Sequence, residues 1–225
     1  MGYYAAFLDL GGRPCLLVGG GRPAEEKARG LLEAGARLTV VWDNATAGLK
    51  ELAATDRLAL LRRRFQPADL DGCFLAVDAS EDRPTGDAVA AAARERGVLL
   101  NVLDRPELCD FIAPALVRRG PLQVAISTAG RSPFMAAHVR RMLESTVTPE
   151  LGRLVELTGE LRDRLRAEGV PLAAQTAIYE RIPASGALTA LRAGDLEAAR
   201  AAVQACAETP ADSGAPRPDL ERLRD

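Results

Sequence analysis

The chain has 225 residues, of which 48% are hydrophobic and 27% charged; this fits one large globular domain or two modest ones. The formal net charge of −2 gives no bulk electrostatic reason to expect nucleic acid or an anionic membrane as a partner. No signal peptide and no apolar run of about 20 residues is visible. The four cysteines lack zinc-site spacing, which predicts reduced thiols in a cytoplasmic protein.

The first half of the chain alternates short apolar runs with amphipathic segments of helical period. Such alternation predicts an α/β fold with a parallel sheet and helices on both faces. The predicted strands are Arg13–Val18, Arg37–Trp42, Leu58–Arg62, Cys73–Val77 and Val98–Leu103, and the predicted helices are Pro23–Ala34, Ala45–Ala54 and Asp82–Arg96.

The pattern changes after Asp104. Two apolar runs, Phe111–Arg118 and Leu122–Ser127, flank a turn signal and predict either a hairpin or a pairing between chains. A helix is predicted to begin after Ser132, because Pro133 follows it. From Pro149 onward leucines recur every three or four residues, which predicts a helical region.

A glycine-rich segment joins the first predicted strand to the first predicted helix. It reads Val18–Ala24 and contains G-x-G-x-x-A beginning at Gly19, a fingerprint of dinucleotide binding in the strand-to-helix context that it requires. Gly19 permits the tight turn, and Gly21 lets the backbone approach a pyrophosphate. The helix start at Arg22 and Pro23 would face the phosphates, which favour exposed N–H groups and the positive end of the helix dipole.

An acidic residue, Asp43, follows the second predicted strand at roughly the ~20-residue offset of a ribose-binding acid. A carboxylate there accepts hydrogen bonds from ribose hydroxyls and repels a 2′-phosphate, which favours NAD over NADP. The adjacent Asn44 could also reach the adenosine. The alternative is a glycine turn without a ligand beside a solvated carboxylate.

Three motifs in order resemble a known family. They are Tyr4–Leu10 followed by the glycine turn, Asn101–Asp104 followed by Pro106–Ala115, and Pro121–Pro133. Together they resemble the dehydrogenase–chelatase module of sirohaem synthases, and the resemblance covers about Met1 to Glu168.

The resemblance implies an NAD-binding Rossmann domain in residues 1–112, a small α+β dimerisation region in 113–148 and a helical C-terminal domain in 149–207. The tail 208–225 is predicted to be disordered because it is rich in Pro, Asp and Arg. The family is homodimeric. It oxidises precorrin-2 to sirohydrochlorin with NAD⁺, and some members then insert Fe²⁺ to make sirohaem; whether this chain does so stays open. An upstream uroporphyrinogen methyltransferase is expected to supply precorrin-2.

The resemblance also assigns site residues. It makes Asp104 the catalytic residue, a general base for the proton that leaves the macrocycle; the alternative is a loop cap or a solvated acid. A polycarboxylate substrate calls for cations and helix N–H groups. The candidates for substrate binding are Arg105, Arg118, Arg119, Arg131, the small hydroxyl pair Ser127 and Thr128, and the helix start at Ser132. No metal site is predicted, since the single histidine, His138, cannot build one.

Two other functions compete with this interpretation. A non-enzymatic NAD-sensing Rossmann regulatory module would bind NAD without affinity for tetrapyrroles, and the motifs after Asn101 argue against it. An NAD-dependent dehydrogenase of a small metabolite would need a catalytic His or Lys beside the predicted site, and the sequence places none there.

Overall fold

The computed structural model describes residues 2–55 and 58–208, and the predicted disordered tail lies outside them except for Glu208. These residues form two compact units. The first contains the residues up to Ala113 together with Ala129–Arg131, and the second contains Pro114–Thr128 and the residues from Ser132 onward.

The first unit is built on a five-stranded parallel sheet, as predicted. The strands are β1 (Pro14–Val18), β2 (Arg37–Val41), β3 (Leu58–Leu61), β4 (Leu75–Asp78) and β5 (Leu99–Val102), in the spatial order β3-β2-β1-β4-β5. The helices are α1 (Arg22–Glu33), α2 (Ala47–Ala53) and α3 (Arg83–Arg96). The strand order reverses direction between β1 and β4, and ligands bind at the carboxyl ends of the strands at such a switch point.

Both faces of this sheet are covered by apolar side chains, because consecutive residues of a strand point to opposite faces. Cys15 and Leu17 of β1 belong to one buried cluster, with Ala24, Ala28 and Leu32 of α1. Leu16 and Val18 belong to another, with Val89, Ala92 and Ala93 of α3. The continuous burial of β1 therefore reflects a central strand with helices on both sides.

The second unit begins with an antiparallel hairpin, which was one of the two predicted pairings. Its strands are β6 (Ala115–Arg119) and β7 (Leu122–Ile126). Five helices follow: α4 (Pro133–Glu144), α5 (Pro149–Ala167), α6 (Leu172–Tyr179), α7 (Ala187–Arg192) and α8 (Leu196–Glu208). The hairpin contacts α4 and α5. The core of the helical part includes four leucines of α5, Leu154, Leu157, Leu161 and Leu165, packed with buried side chains of the following helices. Among the described residues no helix is both long and apolar enough to cross a membrane.

Candidate active site

The glycine turn after β1 is tied to the loop after β2. The N–H of Gly19 donates to the carbonyl of Val41 (3.2 Å), and the N–H of Thr46 donates to the carbonyl of Gly20 (3.0 Å). A Cβ added at Gly20 would lie 2.5 Å from Cδ1 of Trp42 and closer still to the carbonyl of Asn44. The structure therefore brings the glycine turn against the Asp43–Asn44 loop. The need for glycine at position 20 was not predicted, because it arises from contact with a distant loop.

Gly19 and Gly21 differ in whether the fold has room for a side chain. Gly19 has φ +131°, and an added Cβ would lie 2.6 Å from the carbonyl carbon of Ala79 and 2.9 Å from N of Ser80, so the fold itself needs glycine there. At Gly21, where φ is −78°, the nearest atoms to an added Cβ are Cδ of Pro23 at 3.5 Å and Oε2 of Glu81 at 3.6 Å. A side chain would fit at Gly21, so its absence leaves space for a ligand and suits the pyrophosphate of a dinucleotide.

The start of α1 offers backbone donors. No side chain caps it, since its N-cap residue is Gly21. The other two α-helices of the first unit are capped by side chains: Thr46 accepts from the N–H of Leu49, and Asp82 accepts from the N–H of Thr85. The first turn of α1, at Arg22 and Pro23, is thus the helix start of this unit that an anion can complete. These residues fit a bound dinucleotide.

The predicted ribose-binding acid lies beside a cation. Asp43 is about half exposed, and its Oδ2 lies 3.4 Å from Nε of the exposed Arg64. Asn44 is exposed next to it. Arg64 was not a predicted site residue, although it follows β3, the strand next to β2.

Asp104 lies in a cleft at the carboxyl ends of β4 and β5. The cleft is lined by Asp78, Glu81, Asp82, Arg83, Gly86, Val102, Leu103, Asp104 and Arg105. Asp104 is exposed and has a left-handed backbone with φ +56°; Glu81, after β4, has φ +58°. Non-glycine residues rarely adopt this conformation outside functional sites and tight turns. Glu81 lines this cleft and also lies near Gly21, so the glycine turn and the cleft of Asp104 adjoin each other. Glu81 was not a predicted site residue, although ligands bind at the carboxyl ends of parallel strands and Glu81 follows β4.

The segment after Asp104 runs back along β5, the outermost strand. The backbone of Asp110 donates to the carbonyl of Leu100 (2.8 Å), while its carboxylate accepts from the N–H of Leu100 (3.0 Å). The amide of Asn101 donates to the carbonyl of Phe111 (3.0 Å). These bonds explain why β6 begins at Ala115 instead of at Phe111 as predicted.

One buried carboxyl lies beneath the cleft. Asp78 is 3% exposed, and the N–H of Ser80 donates to its Oδ1 (3.2 Å). Burial raises the pKa of the Asp78 carboxyl above its ordinary value, because a charge is costly where water is excluded.

Arg105 and Arg119, both predicted to bind substrate, have partners within the chain. Arg105 forms ion pairs with Asp87 (2.9 Å) and Glu107 (2.8 Å). Arg119 donates to the carbonyls of Arg118 (2.9 Å) and Glu144 (3.4 Å), so in the second unit it helps to satisfy the last turn of α4. Binding substrate would require these guanidinium groups to share or exchange their partners.

The predicted hydroxyl residues form a closed loop before α4. The hydroxyl of Thr128 accepts from the N–H of Ser132 and donates to its carbonyl, both at 3.1 Å. Ser132 caps α4 through the N–H of Met135 (3.2 Å), as predicted. Ser127 and Arg131 are exposed and Arg118 is half-buried. The binding roles of all these residues remain predictions. Within residues 2–55 and 58–208, no three His, Cys, Asp or Glu side chains are grouped to hold a metal ion.

The chain is similar in sequence to two protein families and to curated proteins. Residues 6–115 match a family model described as putative NAD(P)-binding, and residues 119–146 match one described as sirohaem biosynthesis protein central. A siroheme synthase of Methylococcus capsulatus is 39% identical over 239 aligned residues, covering 100% of this chain and 50% of that protein. One from Chromobacterium violaceum is 40% identical, covering 91% of this chain and 43% of that protein. The chain is therefore similar to sirohaem synthases along its whole length.

The chain spans half or less of the length of these curated relatives. Among solved structures it is similar to "SirC, precorrin-2 dehydrogenase", with 26% identity and a TM-score of 0.74 over 92% of this chain and 100% of that one. The predicted resemblance to sirohaem synthases and the predicted fold class are therefore confirmed, and the first unit coincides with the match to the NAD(P)-binding family.

Proposed function

We propose that the chain is an NAD-dependent precorrin-2 dehydrogenase that produces sirohydrochlorin. The observation that carries this proposal is the exposed Asp104 in a cleft that Glu81 connects to Gly21 of the glycine turn. The names of the relatives and of the similar solved structure support the same reaction.

In this proposal each part of the site has one task. The glycine turn and the start of α1 hold the pyrophosphate, and Asp43 binds the adenosine ribose. NAD⁺, when bound, accepts a hydride from the substrate. Asp104 removes the accompanying proton as general base, which requires its carboxylate to reach within ~3 Å of that proton's position. Arg105, Arg118, Arg119, Arg131, Ser127, Thr128 and the helix start at Ser132 are the proposed contacts to the substrate carboxylates.

The decisive experiment is anaerobic incubation of the purified protein with precorrin-2 and NAD⁺. We expect the absorbance bands of NADH and of sirohydrochlorin to grow together. Tight NADH binding without turnover or tetrapyrrole binding would instead identify a regulatory NAD-sensing module. Adding Fe²⁺ afterwards tests the second proposed step, because sirohydrochlorin that gains iron no faster than in a protein-free control would remove chelation from the proposal.

We also propose that the chain forms a homodimer in the cytoplasm, with residues 113–148 carrying much of the contact, and that an upstream uroporphyrinogen methyltransferase supplies its substrate. Support for the dimer comes from one face of α4, where three apolar side chains are exposed: Phe134 (72%), Met135 (45%) and Met142 (60%). Exposed apolar patches often mark interfaces between proteins. The four cysteines are free thiols, which suits a reducing compartment.

Sedimentation equilibrium tests the dimer. We expect the native chain to sediment as a dimer and Phe134→Glu to shift it toward monomer. Leu172→Glu is the matched control, because Leu172 is 76% exposed on α6, outside the proposed contact region. A monomeric native chain, or equal effects of the two substitutions, would reject this interface.

A further inference from the structure

The thiol of Cys109 lies at the point where the chain leaves β5 for the turn that carries Asp104. Its Sγ accepts from the N–H of Val102 (3.1 Å) and from the side-chain amide of Asn101 (3.5 Å). It also lies 3.3 Å from the carbonyl oxygens of Val102 and Arg105, to either of which the S–H can donate. One half-buried side chain thus contacts backbone on both sides of Asp104.

The backbone of this turn needs such support. Asp104 has φ +56°, a left-handed conformation that is unfavourable for most residues with a Cβ. Backbone bonds of this turn run from Arg105 N–H to the carbonyl of Val102 (3.3 Å), from Leu103 N–H to the carbonyl of Asp78 (2.9 Å) and from Leu108 N–H to the carbonyl of Arg105 (3.0 Å). The first is long, and the thiol bridges the same two residues, Val102 and Arg105.

The position of β5 at the edge of the sheet explains why a side chain supplies these hydrogen bonds. The N–H groups of Leu100 and Val102 face away from β4, where the sheet supplies no further strand. The carboxylate of Asp110 accepts from the N–H of Leu100, and Cys109 accepts from that of Val102. Burial raises the pKa of the Cys109 thiol, so it keeps its proton at neutral pH and can donate and accept at the same time.

We propose that Cys109 is a positioning residue for the dehydrogenation, whose hydrogen bonds to Val102 and Arg105 hold the Asp104 carboxylate in its left-handed turn. This inference rests on the proposed function, since it assigns a support to the proposed general base. It adds no reaction step, because Cys109 acts through the backbone and does not touch the substrate.

The test compares Cys109→Val, which fills the volume without hydrogen bonds, with Cys109→Ser, which can still donate and accept. We expect Cys109→Val to lower kcat by about 10- to 100-fold, as misplacement of a catalytic group does, with NADH affinity unchanged. Cys109→Ser should recover part of that loss. Cys73→Ala is the matched control: Cys73 is also half-buried in the first unit, but its Sγ donates to the carbonyl of Asp69 (3.3 Å), away from this turn.

Hydrogen–deuterium exchange provides a readout that does not depend on activity. We expect Cys109→Val to speed exchange about tenfold or more at the amides of Val102–Arg105 only, with the glycine turn unaffected. If the native chain does not oxidise precorrin-2, the proposed function fails, while the exchange data still decide whether the thiol holds the turn. Unchanged exchange, an unchanged kcat in an active enzyme, or a general loss of protection and NADH affinity in Cys109→Val would overturn the inference.

Discussion

Nε of Arg64 lies 3.4 Å from Oδ2 of Asp43, so the acid that is proposed to bind the adenosine ribose has a cation beside it. An acid at this position favours NAD, whereas a nearby arginine can accommodate a 2′-phosphate. Asp43→Asn keeps the shape of the side chain, removes the charge that repels a 2′-phosphate and leaves Arg64 free to pair with one.

We therefore expect Asp43→Asn to weaken NADH binding about three- to tenfold, the value of roughly one hydrogen bond, and to strengthen NADPH binding. Fluorescence titration of both dinucleotides measures the change. Asp163→Asn, at an exposed position on α5, is the control. Parallel changes for NADH and NADPH would show that Asp43 does not select between them.

The two ends of the glycine turn should respond differently to alanine. Gly19→Ala meets Ala79 and adopts a strained φ, and should cost roughly 2–4 kcal/mol of folding stability. Gly21→Ala fits the backbone and should change stability by less than about 1 kcal/mol. Its methyl group should nevertheless displace the pyrophosphate and weaken NADH binding about 10- to 100-fold.

Thermal unfolding and NADH titration together check this pair. A Gly21→Ala variant with native affinity for NADH would show that the dinucleotide does not approach this turn, and the proposed site would have to move.

Two substitutions of Asp104 separate the loss of the general base from strain in the backbone. Asn tolerates a left-handed backbone better than Ala does, so Asp104→Asn isolates the loss of the base, while Asp104→Ala adds about 1–2 kcal/mol of strain. We expect both to lower kcat about 10²- to 10⁴-fold, but only Asp104→Ala to lower the Tm. Steady-state kinetics and calorimetry separate the two effects. Normal turnover by Asp104→Asn would reject the general-base assignment.

The buried carboxyl of Asp78 makes stability depend on pH. Because its pKa is raised in the folded state, folding is favoured most below the unfolded pKa of about 3.9, and that advantage is lost as pH rises through the folded pKa. Asp78→Asn keeps an oxygen for the N–H of Ser80 and carries no charge. It should therefore raise the Tm at neutral pH and lose its advantage below about pH 4; an equal or lower Tm at neutral pH would contradict this account.

Much of the first unit could be predicted because its strands and helices are local patterns. Each of its five predicted strands and three predicted helices is present within about two residues. The order of the strands could not be derived, since it depends on contacts between distant segments. Helix α7 was not predicted as a separate element within the helical region, because it has six residues and begins after a left-handed Gly186, which leaves too little sequence for a helical period to show.

The candidate site divides in the same way. Gly19, Gly21 and Asp43 carry a recognisable spacing, and Asp104 follows a predicted strand and carries the family motif. Arg64 carries no such signal, and Cys109 lies within the family motif without any spacing that indicates its contacts. Their roles come from neighbours that only the folded chain supplies: a carboxylate after the next strand for Arg64, and the flanks of a tight turn for Cys109.

The way Asp110 and Cys109 occupy the outer side of β5 also bears on how the protein behaves at high concentration. A bare strand edge is a template on which another molecule can extend the sheet, and this is a common route to aggregation. Here the amides of Leu100 and Val102 are already engaged within the chain. The loop that carries the proposed catalytic acid thus also protects β5 from intermolecular strand addition.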